Sequence, residues 1–193
     1  AVKGTSTLAA LPVFSGFSAG GTGTMTFSWA ANSNPAGTLY RVLSSRAPDP
    51  LSPGGYPVAS SDTYNLSLST AGLAPNTSYY FRAAAVNNDG VLSAFSAAQV
   101  NPTLPEDAAF PGFGTVTDAS IDFMWSGGSN PADTLYRVLV SPAPDPLNPG
   151  AEPVTSSDTY NVYLSSSGLS VDKDYYFVAA ALGRGGQPGA WTT

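Results

Sequence analysis

The chain has 193 residues without cysteine or histidine, which excludes disulfides, thiolate nucleophiles and histidine-based metal or acid–base sites. Acidic residues outnumber basic ones by 13 to 7, and the net charge of −6 argues against a nucleic-acid partner. Hydrophobic residues make up 42%, enough for folded cores, but no apolar run approaches the roughly 20 residues of a membrane-spanning helix, so no membrane insertion is expected.

The first half of the chain contains short segments in which apolar and polar residues alternate. Met25, Phe27 and Trp29 are separated by single polar residues, and segments 39–43 and 79–85 show a similar pattern. A period of two predicts strands with one buried face. Gly, Pro, Asn and Asp clusters between the segments are typical of turns. No window has helical periodicity, so the chain is predicted to be all-β.

A second strand prediction concerns the segment around residue 66. Tyr64, Leu66 and Leu68 alternate with polar residues and are predicted to share the buried sheet face. Just before them, "SSDTYN" contains Asp62, which we expect to cap a turn through its own backbone.

The stretch "SNPAGTLYRVL", Ser33–Leu43, returns as "SNPADTLYRVL", Ser129–Leu139, with one change in eleven letters. The two tryptophans Trp29 and Trp125 lie 96 residues apart, and this single offset aligns the two halves without insertion. A repeat of this length is the size of a small domain rather than of a solenoid unit. The chain is therefore predicted to be a tandem pair of one module.

The predicted boundaries follow from the offset. Residues 8–103 form the first module and 104–193 the second, while 1–7 resemble the last strand of a preceding module. Residues 101–109, "NPTLPEDAA", contain two prolines and are expected to form a short, semi-rigid spacer.

The run "LAPNTSY", Leu73–Tyr79, together with Trp29 and the Tyr40-x-Val42 pattern, resembles the fibronectin type III family, whose corner motif is Leu-x-Pro-x-Thr-x-Tyr. The resemblance implies that each module is a seven-stranded, immunoglobulin-like β-sandwich. It also implies that the Tyr79 hydroxyl bonds nearby backbone. The second module keeps Leu169 and Tyr175 of this motif but not its Pro and Thr. The structural core residues implied in this way are Trp29, Tyr79, Trp125 and Tyr175.

Carboxylates are the candidate catalytic groups, because acidic residues dominate the charge. Asp49 and Asp145 lie in "APDPL", and Asp62 and Asp158 in "SSDTYN". A small sandwich offers no deep cleft that would place two carboxylates across a sugar, and no dense acidic run suggests calcium. We therefore predict no enzyme activity, no metal and no cofactor.

The outward face of the third and sixth strands is unusually apolar for a solvated sheet. Two accounts stay open: the "APDPL" segment of the same module covers this face, or the face docks another module or a ligand, with tyrosines stacking on a glycan. The candidate contact residues are Leu39, Arg41, Leu43, Tyr80, Arg82, Leu135, Arg137, Leu139 and Tyr176.

The two ends of the chain are out of phase with its modules. Ala1–Thr7 aligns with Ala97–Thr103, the expected last strand of the first module, whereas the second module has no such segment before Thr193. Three explanations are open: a window from a longer array, addition of the 1–7 strand to a neighbouring molecule, or an arbitrary boundary.

These features favour a non-catalytic, extracellular or cell-surface structural repeat, such as a stalk, filament or surface-array element. Head-to-tail assembly by β-strand complementation is one mode of assembly that the offset ends allow. The expected partners of the chain are copies of itself or adjacent modules. The alternatives are an adhesion or carbohydrate-binding module with a glycan or cell-surface partner, and an accessory segment of a larger secreted enzyme.

Overall fold

The computed structural model describes residues 3–18 and 20–192, so Ala1 and Val2 of the expected 1–7 strand lie outside the described residues. Every regular element in the described residues is a β-strand. The chain forms two compact units, one ending at Thr103 and the other beginning at Leu104, and the second unit also includes Ala74–Asn76. The prediction of an all-β chain with two tandem sandwiches is confirmed.

Unit 1 contains seven strands in two antiparallel sheets. One sheet has the order β1-β2-β5 and the other the order β4-β3-β6-β7. The strands are β1 (Val13–Ser18), β2 (Met25–Ala30), β3 (Leu39–Ser45), β4 (Val58–Thr63), β5 (Ser67–Thr70), β6 (Ser78–Val86) and β7 (Gln99–Pro102).

Unit 2 repeats this plan with six strands in the described residues. Its sheets have the orders β8-β9-β12 and β11-β10-β13, so β13 is an edge strand where its counterpart β6 is an inner one. The strands are β8 (Ala109–Val116), β9 (Ser120–Ser126), β10 (Tyr136–Ser141), β11 (Thr155–Thr159), β12 (Tyr163–Ser167) and β13 (Tyr176–Ala181).

Each core is an aromatic stack between the two sheets of its unit. In unit 1 the rings of Phe27 and Phe81 stack with centroids 5.4 Å apart, and in unit 2 Phe123 and Phe177 stack at 5.2 Å. Phe27 comes from the alternating run in β2, so the period of two placed it correctly. Burying a phenylalanine contributes roughly 1.5–3 kcal/mol relative to exposure, which makes these stacks major sources of stability.

A bulge in the first strand of each unit adds two more rings. The pairing of β1 with β2 shifts register between Phe14 and Gly16, and Gly16 has a φ of 152°. Because the bulge inserts a residue, Phe14 and Phe17 both reach the core although they are three positions apart. The φ of Gly112 in β8 is also 152°.

The expected alternation in Tyr64–Leu68 is only partly right. Leu68 packs against the core, but Tyr64 is 68% exposed and Leu66 45% exposed. The strand begins only at Ser67, because the preceding residues form the bend between β4 and β5. The two large side chains therefore lie on the surface of the turn.

The repeated stretch "SNP" ties down the segment that precedes each sandwich. The Asn34 side-chain oxygen accepts the Ala10 N–H (2.7 Å), and its nitrogen donates to the Ala10 carbonyl (2.8 Å). Asn130 makes the same two bonds to the backbone of Glu106. The near-identity of the two stretches thus has a structural basis: the asparagine acts as a one-residue strand partner.

Candidate functional site

In unit 1, strand β7 covers the aromatic core at the edge of β6. Strand β7 pairs antiparallel with β6, placing Gln99 opposite Phe81 and Asn101 opposite Tyr79. Phe81 is completely buried and Tyr79 is 8% exposed. The added strand therefore closes this side of the sandwich.

Unit 2 is open at the equivalent place. Within residues 104–192, β13 pairs only with β10. A groove of about 520 Å³ lies beside it, lined by Phe113, Phe177 and Tyr176 among others. Phe113 is an exposed side chain (48%), whereas its counterpart Phe17 is partly buried and packs against the core of unit 1. Where unit 1 has a strand, unit 2 has an apolar channel.

One end of this edge is closed by the chain itself. The Thr192 N–H donates to the Ala179 carbonyl (2.8 Å), and the Thr192 hydroxyl accepts the Ala179 N–H (3.0 Å). Ser96 makes the same two contacts with Ala83 in unit 1. Within the described residues, the uncovered part of the β13 edge therefore runs from Phe177 toward Tyr175.

The wall of the groove is the "APDPL" segment of unit 2, Ala143–Leu147. Asp145 and Leu147 line the groove, and the Asp145 carboxylate accepts bonds from the Asn148 side chain and the Leu147 N–H, which lower the pKa of Asp145. In unit 1 the corresponding Asp49 forms an ion pair with Arg82 at 2.8 Å. Unit 2 has Val178 at that position, so its groove is more apolar.

On the outer face, the arginines are engaged by carboxylates on the adjacent strand. Arg41 donates two hydrogen bonds to Asp62, both 2.8 Å, and Arg137 does the same to Asp158. The expectation that Asp62 caps a turn is wrong, because Asp62 lies within β4 directly opposite Arg41. Each bidentate bond raises the pKa of the arginine and lowers the pKa of the aspartate.

The remaining candidate contact residues of this face are all half-buried. In unit 1 part of the cover is "APDPL", through the ion pair between Arg82 and Asp49. The half-buried apolar residues of the face are Leu39, Leu43, Tyr80, Leu135, Leu139 and Tyr176.

The core residues implied by the family resemblance occupy related but unequal places. Trp29 and Trp125 are buried, each 2% exposed. Tyr79 is buried with the Arg46 guanidinium 5.7 Å from its ring centre, whereas Tyr175 is half-buried at the groove. The Tyr175 hydroxyl accepts the Ser170 N–H at 3.0 Å, which lowers the pKa of that hydroxyl.

The segment before the first strand makes contacts that the sequence did not suggest. Residues 3–12 contain no strand. The Asp89 carboxylate accepts the Ser6 N–H (2.7 Å) and the Thr5 hydroxyl (3.1 Å), and the Asn87 amide donates to the Thr7 carbonyl. These bonds lower the pKa of Asp89. Nothing in the spacing of polar residues pointed to Asp89, because the contact spans more than 80 positions.

Other types of site have no support in the described residues. No group of three or more acidic side chains there is arranged to hold a metal ion. The same part of the chain has no helix long and apolar enough to cross a membrane.

Comparison with solved structures identifies the fold. A segment of two fibronectin type III domains from chicken tenascin superposes with a TM-score of 0.60 and 16% identity, covering 93% of this chain and 95% of that one. The fold is that of two fibronectin type III domains in tandem. The type III domain sequence resemblance and the observed sandwiches therefore agree.

Two further type III structures are similar over parts of the chain. The chicken CNTN1 FN1–FN3 domains match with a TM-score of 0.39 and 15% identity, over 95% of this chain and 66% of that one. A domain of human fibronectin type III domain containing protein 3 matches with a TM-score of 0.44 and 21% identity, over 54% and 94%. No family model and no curated protein matches the sequence.

Proposed function

We propose that this protein is a non-catalytic, extracellular structural repeat, an element of a stalk, filament or surface array whose type III modules add length. Copies of the chain join head-to-tail by β-strand addition. The observation that carries the proposal is the open apolar edge of β13, at the place where β7 closes the first module.

An uncovered strand edge beside exposed aromatic rings favours association. Phe110 is 42% and Phe113 48% exposed, and β13 has no second strand neighbour in the described residues. Edges of this kind are templates for another strand. Because the donor and the acceptor would be different surfaces, repeated addition gives an open, linear assembly rather than a closed dimer.

The charged groups support a structural role rather than catalysis. Asp62 and Asp158 are held in bidentate pairs with Arg41 and Arg137. The same pairs argue against the adhesion alternative, since they occupy the two arginines that a glycan-binding face would use. The abundance of small polar residues and the 10% content of charged residues support a location outside the cell.

The proposal is tested by the size of the protein before and after denaturation. We expect analytical ultracentrifugation to show growth with concentration and electron microscopy to show linear particles. Intact mass near 19.7 kDa after denaturation would identify separate subunits and support strand addition, whereas a several-fold larger mass would show a covalent array and contradict it. Compact particles that do not associate at any concentration would contradict the proposal.

A further inference from the structure

We infer that the open edge of β13 accepts the segment Lys3–Thr7 of a second copy of this chain, in the register in which β7 pairs with β6. This inference rests on the proposed head-to-tail assembly and names the two strands that form the contact. The basis for this inference is unit 1, where β7 occupies the edge of β6 that corresponds to the open edge of β13. Residues 3–7 align with residues 99–103 at the offset of 96 between the modules.

The register follows from the offset of 96 between the modules. Strand β7 places Asn101 opposite Tyr79 and Pro102 opposite Ser78. Subtracting 96 from the residue numbers of β7 gives the donor residues, and adding 96 to those of β6 gives the acceptor residues. The pairs between copies are Lys3 with Phe177, Gly4 with Tyr176, Thr5 with Tyr175 and Ser6 with Asp174.

Thr7 aligns with the most closely packed residue of the unit 1 template. Thr103 is 1% exposed, donates its N–H to the Thr77 carbonyl (3.0 Å) and accepts the Thr77 N–H with its hydroxyl (3.0 Å). Thr7 brings the same hydroxyl, and Lys173 brings the same backbone groups as Thr77. The identity of the side chain at this position allows the donor strand to repeat these bonds.

The other donor positions also match the template in character. Lys3 takes the place of Gln99, a half-buried side chain that is likewise long and polar, and Ser6 takes the place of Pro102. Proline is tolerated at this position of β7, so no backbone N–H is required there. In an antiparallel ladder the bonded pairs alternate, so Thr5, next to this position, exchanges both backbone bonds with Tyr175.

The donor must leave its contacts on its own copy before it pairs. Asp89 holds Thr5 and Ser6, and Asn87 holds Thr7. All three bonds are exposed to solvent. Docking exchanges them for ladder bonds against an apolar groove, and exposed bonds of this kind are readily replaced by water.

A pair of proline variants tests the register in the full chain. Thr5→Pro removes an N–H that the ladder between copies needs. Ser6→Pro, at the next position, places a proline where β7 already has Pro102. Each variant also removes one of the two bonds to Asp89, so the two are matched in that respect. In sedimentation velocity we expect Thr5→Pro to abolish association and Ser6→Pro to retain it.

A disulfide test is independent of proline, because the natural chain has no cysteine. One preparation carries Ser6→Cys and the other Asp174→Cys, and they are mixed under mild oxidation. These positions face each other in a non-bonded pair, where the side chains are closest. We expect the mixed dimer as the main product. The control mixture, Thr5→Cys with Asp174→Cys, is out of phase by one residue and should give little.

The outcomes separate this inference from the proposed function. Loss of association only in Thr5→Pro, with the mixed dimer, supports it. Association of the natural chain that persists equally in both proline variants overturns the inference and leaves the proposed function standing. If the natural chain associates but the mixture of Ser6→Cys and Asp174→Cys forms no mixed disulfide dimer, the proposed register is also overturned. A natural chain that never associates contradicts both.

Discussion

At the scale of single residues, the equivalent asparagines of the two modules make the same hydrogen bonds. Asn34 and Asn130 each bond both the backbone N–H and the backbone carbonyl of one residue, as a neighbouring strand residue would. The sequence predicted a turn at this place but not this contact, because Ala10 lies 24 residues before Asn34. Hydrogen bonds between distant segments leave no periodic signal.

Replacing Asn34 by alanine should destabilise unit 1. The change leaves the N–H and carbonyl of Ala10 without these partners in a partly buried place, at a cost of about 1–3 kcal/mol. Chemical denaturation of the full chain measures the effect. Asn65→Ala is the control, since Asn65 is exposed in the turn before β5 and should change stability by less than about 0.5 kcal/mol. Equal effects of the two changes would contradict this role.

At the scale of strands, the simple pattern of alternation predicted the buried face of β2 but not that of the first strand. Phe14 and Phe17 share a face only because the bulge at Gly16 resets the register. Their spacing of three looks irregular in the sequence. Tyr64 was wrongly placed for the opposite reason: the alternation continued through a bend in which no ladder orients the side chains.

At the offset of 96, no described residue of unit 2 aligns with β7, which agrees with the open edge of β13. What the sequence could not supply was the shape of that edge. Whether neighbouring loops collapse over Phe113 depends on packing between residues distant in sequence. The structure leaves this ring about half exposed, with Pro144–Leu147 as a wall of the groove rather than a lid.

The two copies provide a matched test of this difference. Phe17→Ala removes a ring packed between Phe27 and Phe81, and should cost roughly 2–4 kcal/mol, somewhat below the value for a fully buried ring. Phe113→Ala removes a ring that is 48% exposed and should cost about 1 kcal/mol less. Hydrogen exchange resolved by residue reports each unit separately. An equal loss of protection in the two units would show that the groove of unit 2 is closed in solution.

At the scale of the whole molecule, the proposed strand addition requires the donor segment to leave the side chains that hold it on its own copy. Asp89 is the residue in question, because its carboxylate binds Ser6 and Thr5 on the same copy. Those bonds lower its pKa, so the ionised form is the one that holds the segment. The hold is complete above the ordinary pKa of an aspartate and is lost as the pH falls through the lowered value.

Asp89→Ala should therefore strengthen association at neutral pH, because the donor segment is released without a change in the groove. Sedimentation at a series of concentrations measures the shift. Removing a negative charge also reduces repulsion between copies, so Glu152→Ala, at an exposed position of unit 2, is the charge-matched control. Association of the natural chain should rise on acidification toward that of Asp89→Ala. If both alanine variants associate equally, net charge rather than release of the segment sets the strength of assembly.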